Sequence, residues 1–523
     1  MGTLKADLDT PDFELVETHI SYVFIGDTEV FKVKRPVNLG FLDFSTLAAR
    51  LDACQAEVRL NGRLAPDVYM GVVPVTRSAG GLHEFSGPGE VVDWAVHMRR
   101  LQDGDRADVR LLEGRLTAQH IAELAKHVAD FHARARCDEE TKRHGMAESV
   151  RLNVQENFLQ TRTHLDSYLT PSQAAEIERW QLAQLADERR FAERAESGRL
   201  RDGHGDLRLE HVYLRDDGTI DIIDCIEFNE RFRYADVCSD IAFLSMDLVR
   251  QGRIDLAERF LAHYAEQSDD YDLYSVVNFY ESYRAFVRGK VAALLAQDPE
   301  ASSETRARAH REARRYFLLS LAFEREPLEP PRLIAVGGMI ASGKSTVAAE
   351  AGRLLSAPRL SSDRARKRLR GKEPHESMQV DAWTGAYTRE ATNALYAELA
   401  RRAEVVLESG RSVIVDASFR TRALRNMIRQ LACRLEVPFT FIECVAPRET
   451  CLQRLAAREQ AGTHESDARS GLWSAFESEY EPVTEIPRAE LTRIDTSHPW
   501  EQTRGLIERQ LVDGSARSDG TTR

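Results

Sequence analysis

The sequence predicts two folded units of different class, an α+β unit over residues 1–325 and an α/β unit with a parallel sheet over 332–512. Three observations support this. At 523 residues the chain is longer than one core sustains, since cores stop growing near about 250–300 residues. Strand-like runs cluster between residues 19 and 98, and helical periodicity takes over from Thr117, the segregated order of an α+β unit. After Leu333 short apolar runs alternate with helical segments, as in a parallel sheet covered on both faces. Between the units, Glu324-Arg-Glu-Pro-Leu-Glu-Pro-Pro331 is charged and then proline-rich. Prolines bar helix continuation, so residues 326–331 read as a linker. The polar stretch 513–523 reads as a disordered tail.

Taken in order, His19–Ile25 and Glu29–Lys34 flank Gly26-Asp27-Thr28 and predict a hairpin. Alternation puts Lys32 and Lys34 on one face of the second strand. A helix follows from about Thr46 to Leu64 and carries Glu57. Val72–Val75 and Glu90–Met98 read as strands, and Thr117 to about Glu196 as helix almost throughout. The period changes at Asp202, with a turn, a loop and one short strand beginning at Thr219. Helices return from Tyr234 to Phe323. In the second unit, candidate strands are Leu333–Val336, Arg359–Ser361, Ser412–Val415, Phe439–Val445 and Leu491–Ile494.

Composition excludes several classes. The chain is 42% hydrophobic and 30% charged, ordinary for a soluble protein. A net charge of −13 disfavours a general electrostatic nucleic-acid binder, leaving room only for a local basic groove. The N-terminus lacks the apolar segment of a signal peptide, and no apolar run reaches the length of a membrane span. The 7 cysteines are scattered with no Cys-x-x-Cys pair, which fits reduced thiols in a cytoplasmic protein. Nothing in the sequence sets an oligomeric state.

The most specific motif is Gly338-x-x-x-x-Gly343-Lys344-Ser345-Thr346, after the apolar run Leu333–Val336 and before a helical segment. Strand, glycine-framed loop and helix start form a phosphate-binding loop. The glycines let backbone N–H groups face one point, and the helix N-terminus adds partial positive charge. Lys344 is expected to reach the β- and γ-phosphates of ATP, and Ser345 to hold Mg²⁺. Asp363 and Arg366 follow the second strand in Asp-x-x-Arg spacing, where ligands of such sheets bind. This spacing resembles P-loop small-molecule kinases, polynucleotide 5′-kinases and zeta-toxin-like kinases. The resemblance implies Asp363 as base on the acceptor hydroxyl and Arg366 as its grip. The alternative for Asp363 is a helix N-cap. Asp416 ends a strand, as in a Walker B segment, and is expected to act on Mg²⁺. Arg454 and Arg458 share a helix face before the polar stretch Glu459–Ser470, resembling the phosphate-closing lid of such kinases.

In the first unit, His204-Gly-Asp206-Leu-Arg-Leu-Glu-His211 precedes Ile222-Ile-Asp224. This resembles the core of aminoglycoside-phosphotransferase-like kinases over roughly residues 15–320, and implies a two-lobed, protein-kinase-like α+β domain. By that resemblance Asp206 is the base, Asp224 holds Mg²⁺, and Lys32 contacts the phosphates while paired with Glu57. Lys34 remains an alternative to Lys32. Met98–Leu101 would face adenine, and Asp236 or Asp240 matches a structural Asp. His204 braces the loop. His211 stands where that family has Asn as second metal ligand, and imidazole is a softer ligand for Mg²⁺. Arg284 and Arg288 are a like-charged i,i+4 pair that repels unless anions lie nearby.

The resemblances together imply a bacterial fusion of two ATP-dependent kinase modules acting on hydroxyls of small molecules. The alternative is a nucleotide-binding pseudokinase regulating a P-loop kinase of nucleic-acid 5′ ends or nucleotide sugars.

Overall fold

The computed structural model describes every residue except 1, 19, 39–41, 300, 325–326, 328–329, 373–375, 377–387, 462–469 and 512–523. Half of the linker, the tail and the centre of the lid stretch therefore lie outside the described residues. The chain forms two compact units. The first joins Met1–Arg253 to Phe279–Glu324, and the second joins Ile254–Asn278 to Arg325–Arg523.

The first unit opens with a six-stranded sheet. Its strands are β1 (Glu14–Glu17), β2 (Ser21–Ile25), β3 (Glu29–Lys34), β4 (Tyr69–Arg77), β5 (His83–Phe85) and β6 (Glu90–Arg99). Their order is β1-β2-β3-β6-β4-β5, and every neighbouring pair is antiparallel. Alternation sends Phe24, Phe31, Val33, Val75 and Ala95 into one apolar cluster, where Phe31 stacks on Phe85 at 4.2 Å between centroids. Lys32 and Lys34 point to the other face, as period-2 geometry requires, and both reach Glu57. Glu57 rides on the helix Leu47–Asn61, whose first turn is capped by Thr46 accepting from Ala49 N–H at 3.1 Å.

Beyond the sheet, the helical stretch is divided. Ala118–Arg134, Glu139–Gly145, Ala147–Thr161, Pro171–Gln184 and Glu188–Glu196 are separate helices. Asp138 and Thr170 restart the chain as N-caps. Where one short strand was expected, four occur: β7 (Leu200–Asp202), β8 (Val212–Leu214), β9 (Ile220–Ile222) and β10 (Tyr234–Asp236). They pair as β10-β7 and β8-β9. Three-residue strands leave almost no periodic signal, because two side-chain alternations do not stand out from a loop.

The second unit is a five-stranded parallel sheet of β11 (Leu333–Gly338), β12 (Arg359–Ser361), β13 (Val413–Asp416), β14 (Phe439–Val445) and β15 (Leu491–Asp495). The order is β12-β13-β11-β14-β15. Ile334, Val336, Ile414, Ile442 and Ile494 pack with Val347 and Ile507 in its core. Residues 254–278, read from sequence as part of 1–325, cluster with this unit. Asp269 pairs with Arg402 at 2.7 Å and Asp272 with Arg401 at 2.7 Å. Tyr271 donates its hydroxyl to the Arg359 carbonyl at 2.8 Å. No helix among the described residues is long and apolar enough to cross a membrane.

Candidate active site

The phosphate loop connects β11 to the helix Lys344–Leu355. Gly343 caps that helix at φ 85°, left-handed backbone that an L side chain resists. Lys344 follows and donates to the Met339 carbonyl at 2.7 Å. Burial lowers the Lys344 ammonium below its usual value, outweighing the attraction of Asp416 and Asp363. Asp416 ends β13 beside β11, in register with Val336. Burial raises its carboxyl, against Arg359, Lys344 and a hydrogen bond from Ser345.

One cavity collects most of the expected residues: Gly343, Lys344, Ser345, Asp363, Arg366, Asp416 and Arg458. Asp363 and Arg366 reach it from the helix Ser362–Arg368. The N-cap of that helix is Ser361, accepting from Arg364 N–H at 3.4 Å, so Asp363 is not the cap. Gly338 and Thr346 belong to the loop and helix but do not line this cavity. Of the lid pair, Arg458 lines it, whereas Arg454 is engaged by the Ala341 carbonyl at 3.2 Å and the Thr496 carbonyl at 2.6 Å. Arg454 thus braces the phosphate loop against the chain after β15.

Sequence reasoning missed Arg420, a further cation on the cavity wall, and Arg359, 3.8 Å from the Asp416 carboxylate. Glu266 in turn holds Arg359, accepting from its backbone N–H at 3.1 Å. Arg420 follows the Walker B segment by four residues and could have been weighed from that position. Glu266 lies 93 residues from Arg359 and left no local signal.

In the first unit the residues matched by resemblance also converge. Lys32 Nζ lies 2.9 Å from Glu57 and 2.7 Å from Asp224. Lys34, fully buried, pairs with Glu57 and with Glu227, a carboxylate the sequence reading did not single out. Burial disfavours the Lys32 cation, yet Asp224 and Glu57 overcome this and hold its pKa well above the usual value. Asp224 sits at φ 64°, a left-handed conformation uncommon for a non-glycine residue and found preferentially at functional sites.

Asp206 is gripped on both oxygens by Arg208, each at 2.9 Å. Burial pushes its carboxyl up, but Arg208, His211 and Arg288 hold it well below the usual carboxylate range. His211 donates from Nδ1 to the Asp206 carbonyl at 2.8 Å, and its Nε2 accepts from Arg208 at 3.2 Å. That Nε2 lies 3.6 Å from Asp224. His204 is a brace: its ring bonds the Ile223 carbonyl at 3.0 Å, its N–H donates to Asp240, and burial lowers its pKa to about 4. Asp240 accepts from Gly205 N–H at 2.8 Å, so it is Asp240 that shapes the loop, while Asp236 pairs with Arg194. Among the described residues, no three His, Cys, Asp or Glu side chains are grouped to hold a metal.

A phosphate loop on a parallel sheet, with a strand-end Asp and a second Asp in one cavity, defines a P-loop kinase-type unit. Residues 333–483 match the AAA_33 family, described as an AAA domain. The whole chain belongs to the family of uncharacterized protein Rv2004c of Mycobacterium tuberculosis, to which it is 32% identical over 503 residues, covering 95% of each chain. An uncharacterized protein of Mycobacterium bovis matches equally, at 32% identity and 95% coverage of each chain. Solved structures similar to part of the chain include a sugar kinase of Janibacter sp., at 20% identity and TM-score 0.28, covering 37% of this chain and 100% of that one. An APS kinase of Mycobacterium tuberculosis in complex with AMPPNP and APS matches at 21% identity and TM-score 0.27, covering 35% of this chain and 98% of that one.

Proposed function

We propose that the second unit is an ATP-dependent phosphotransferase moving the γ-phosphate to a hydroxyl of a small molecule. The observation behind this is the convergence of Lys344, Ser345, Asp363, Arg366, Asp416 and Arg458 on one cavity. Phosphoryl transfer is chiefly positioning and charge neutralisation. Lys344 and Arg458 carry charge to the transferred phosphate. Asp363 orients the acceptor hydroxyl and takes its proton as the new O–P bond forms, and Arg366 holds the acceptor. The Ser345 hydroxyl and the Asp416 carboxylate are hard oxygens that fit Mg²⁺, which when bound neutralises charge on the phosphates. Free, mostly buried thiols suit a reducing cytoplasm.

The test uses the full chain, because residues 254–278 cluster with the second unit. A metabolite pool is incubated with ATP and Mg²⁺, and phosphorylated products are read by mass spectrometry. Wild type yields an acceptor-dependent product that Lys344→Ala and Asp363→Asn each abolish. Undiminished product from a folded Lys344→Ala protein, with the first unit silenced by Asp206→Ala, contradicts the assignment.

We infer a second site of the same reaction type in the first unit, supported by its resemblance to aminoglycoside-phosphotransferase-like kinases. Asp206 is the base, Lys32 with Glu57 faces the phosphates, and the Asp224 carboxylate would hold Mg²⁺, with His211 as second ligand only if its Nε2 leaves Arg208. A rival reading, in which this unit is a nucleotide-binding pseudokinase regulating a P-loop kinase of nucleic-acid 5′ ends or nucleotide sugars, draws on one observation. Arg208 occupies both Asp206 oxygens and His211 Nε2. An acceptor screen on the full chain carrying Lys344→Ala separates the two: turnover that Asp206→Ala abolishes supports catalysis, and nucleotide binding without turnover supports the pseudokinase.

A further inference from the structure

The like-charged pair Arg284 and Arg288 lies on the helix Val277–Gln297, and the fold gives its members different tasks. Arg284 is buried, donates from Nε to Ser239 Oγ at 3.1 Å, and sits 4.7 Å from the Phe243 ring centroid. It fastens this helix to the helix Val237–Arg250. Arg288, one turn further on, has no carboxylate or hydrogen-bond partner among the described residues. Its Nε is buried and unsatisfied, and its guanidinium lies 5.9 Å from the Tyr316 ring centroid.

The cations around it are already paired. Arg208 is held by Asp206 and Glu210, and Arg250 by Glu312 while it packs 5.0 Å from the same Tyr316 ring. The nearby Asp247 accepts from Leu209 N–H at 3.1 Å. Arg288 is close enough to Asp206 for its charge to bear on that carboxylate. A half-buried guanidinium with an unsatisfied Nε–H carries a desolvation cost. Its planar fork matches a carboxylate or a phosphate, and it repels a cationic acceptor.

We propose that the first unit takes an anionic hydroxyl compound, of the sugar-acid or sugar-phosphate class, whose anion is held by Arg288 while a hydroxyl lies at Asp206. The proposal rests on reading Asp206 as the base of a phosphotransfer site. In that step the acceptor oxygen bonds the γ-phosphorus, the β,γ-bridging P–O bond breaks, the hydroxyl proton passes to Asp206, and ADP leaves.

The test uses the full chain carrying Lys344→Ala, so that ADP release reports the first unit. The probes are D-gluconate, D-glucose 6-phosphate, D-glucose and kanamycin. At least one anionic probe is expected to have a KM about tenfold or more below that of glucose. Arg288→Gln raises that KM about tenfold with kcat and ATP binding nearly unchanged, and Arg288→Lys falls between. Gluconate against glucose 6-phosphate separates carboxylate from phosphate recognition. Equal use of glucose or kanamycin, or an equal loss of kcat on all probes in Arg288→Gln, overturns the proposal. If no probe turns over, calorimetry with the same probes decides. Anion binding lost in Arg288→Gln keeps the anion site and removes the kinase reading, and no anion binding by the parent protein overturns the site.

Discussion

In the two proposed nucleotide sites, Lys344 and Lys32 take the same part, yet they are held by opposite kinds of partner. Lys344 donates to a neutral backbone carbonyl, and burial leaves its ammonium easier to deprotonate than usual. Lys32 lies between two carboxylates, and its neighbour Lys34 between two more contacts of the same kind. The first lysine is short of negative charge and gains from an arriving phosphate. The second sits in a network already rich in carboxylate, and its Asp224 gains from an arriving cation. A phosphate loop can therefore bind nucleotide by the loop and lysine alone, whereas the site proposed in the first unit would need metal to offset Asp224 against the phosphates.

The sharpest way to break this contrast is Lys34→Met. Removing one partner from a buried ion pair leaves Glu227 without its cation and Glu57 with Lys32 alone, which costs about 3–5 kcal/mol. Denaturant unfolding of the full chain should show an early transition assigned to the first unit, with the second unit unchanged. Lys344→Ala comes next. Its expected effect is a loss of about 100-fold or more in turnover at the second site, with far-UV circular dichroism preserved.

The lid pair sharpens the contrast within the second unit. Arg458→Ala is expected to raise the KM for ATP about tenfold. Arg454→Ala acts mainly on stability, because its guanidinium is spent on backbone carbonyls. Equal kinetic effects from the two would remove the distinction.

The smallest effect is a pH dependence in the first unit. Lys290 donates to Asn157 and Gln160, which are neutral, and burial lowers its pKa to about 8. The unfolded chain keeps an ordinary lysine near about 10.4. Between those values the unfolded state binds more protons, so stability rises with pH. Wild type should gain stability relative to Lys290→Gln as pH goes from about 8 to about 10.4, read as a rise in the melting temperature of wild type minus that of the variant.

Legibility from sequence followed locality. The phosphate loop, the strand-end Asp416 and the Asp363/Arg366 spacing are contiguous motifs, and their residues meet in one cavity. All five strands of the parallel sheet were legible, four of them as runs rich in apolar residues, with bounds shifted by at most two residues. Lys32 and Lys34 sharing a face followed from strand alternation. What stayed hidden depends on distant pairing. Glu227 meets Lys34 across 193 positions, and Glu266 meets Arg359 across 93. Arg284 and Arg288 look alike in sequence, and only the packing of their helix separates an anchored guanidinium from an unpaired one. The membership of residues 254–278 in the second unit is of the same kind, carried by ion pairs such as Asp269–Arg402 that no local pattern announces.

The most direct test is calorimetric titration of ATP into the full chain, its Lys344→Ala variant and its Lys32→Met variant, each with Mg²⁺ and with EDTA. Two sites are expected in wild type and one in each variant, with a pattern in which EDTA abolishes binding in Lys344→Ala but only weakens it in Lys32→Met. A single site in wild type that Lys344→Ala removes, or metal-independent binding in Lys344→Ala, would contradict it.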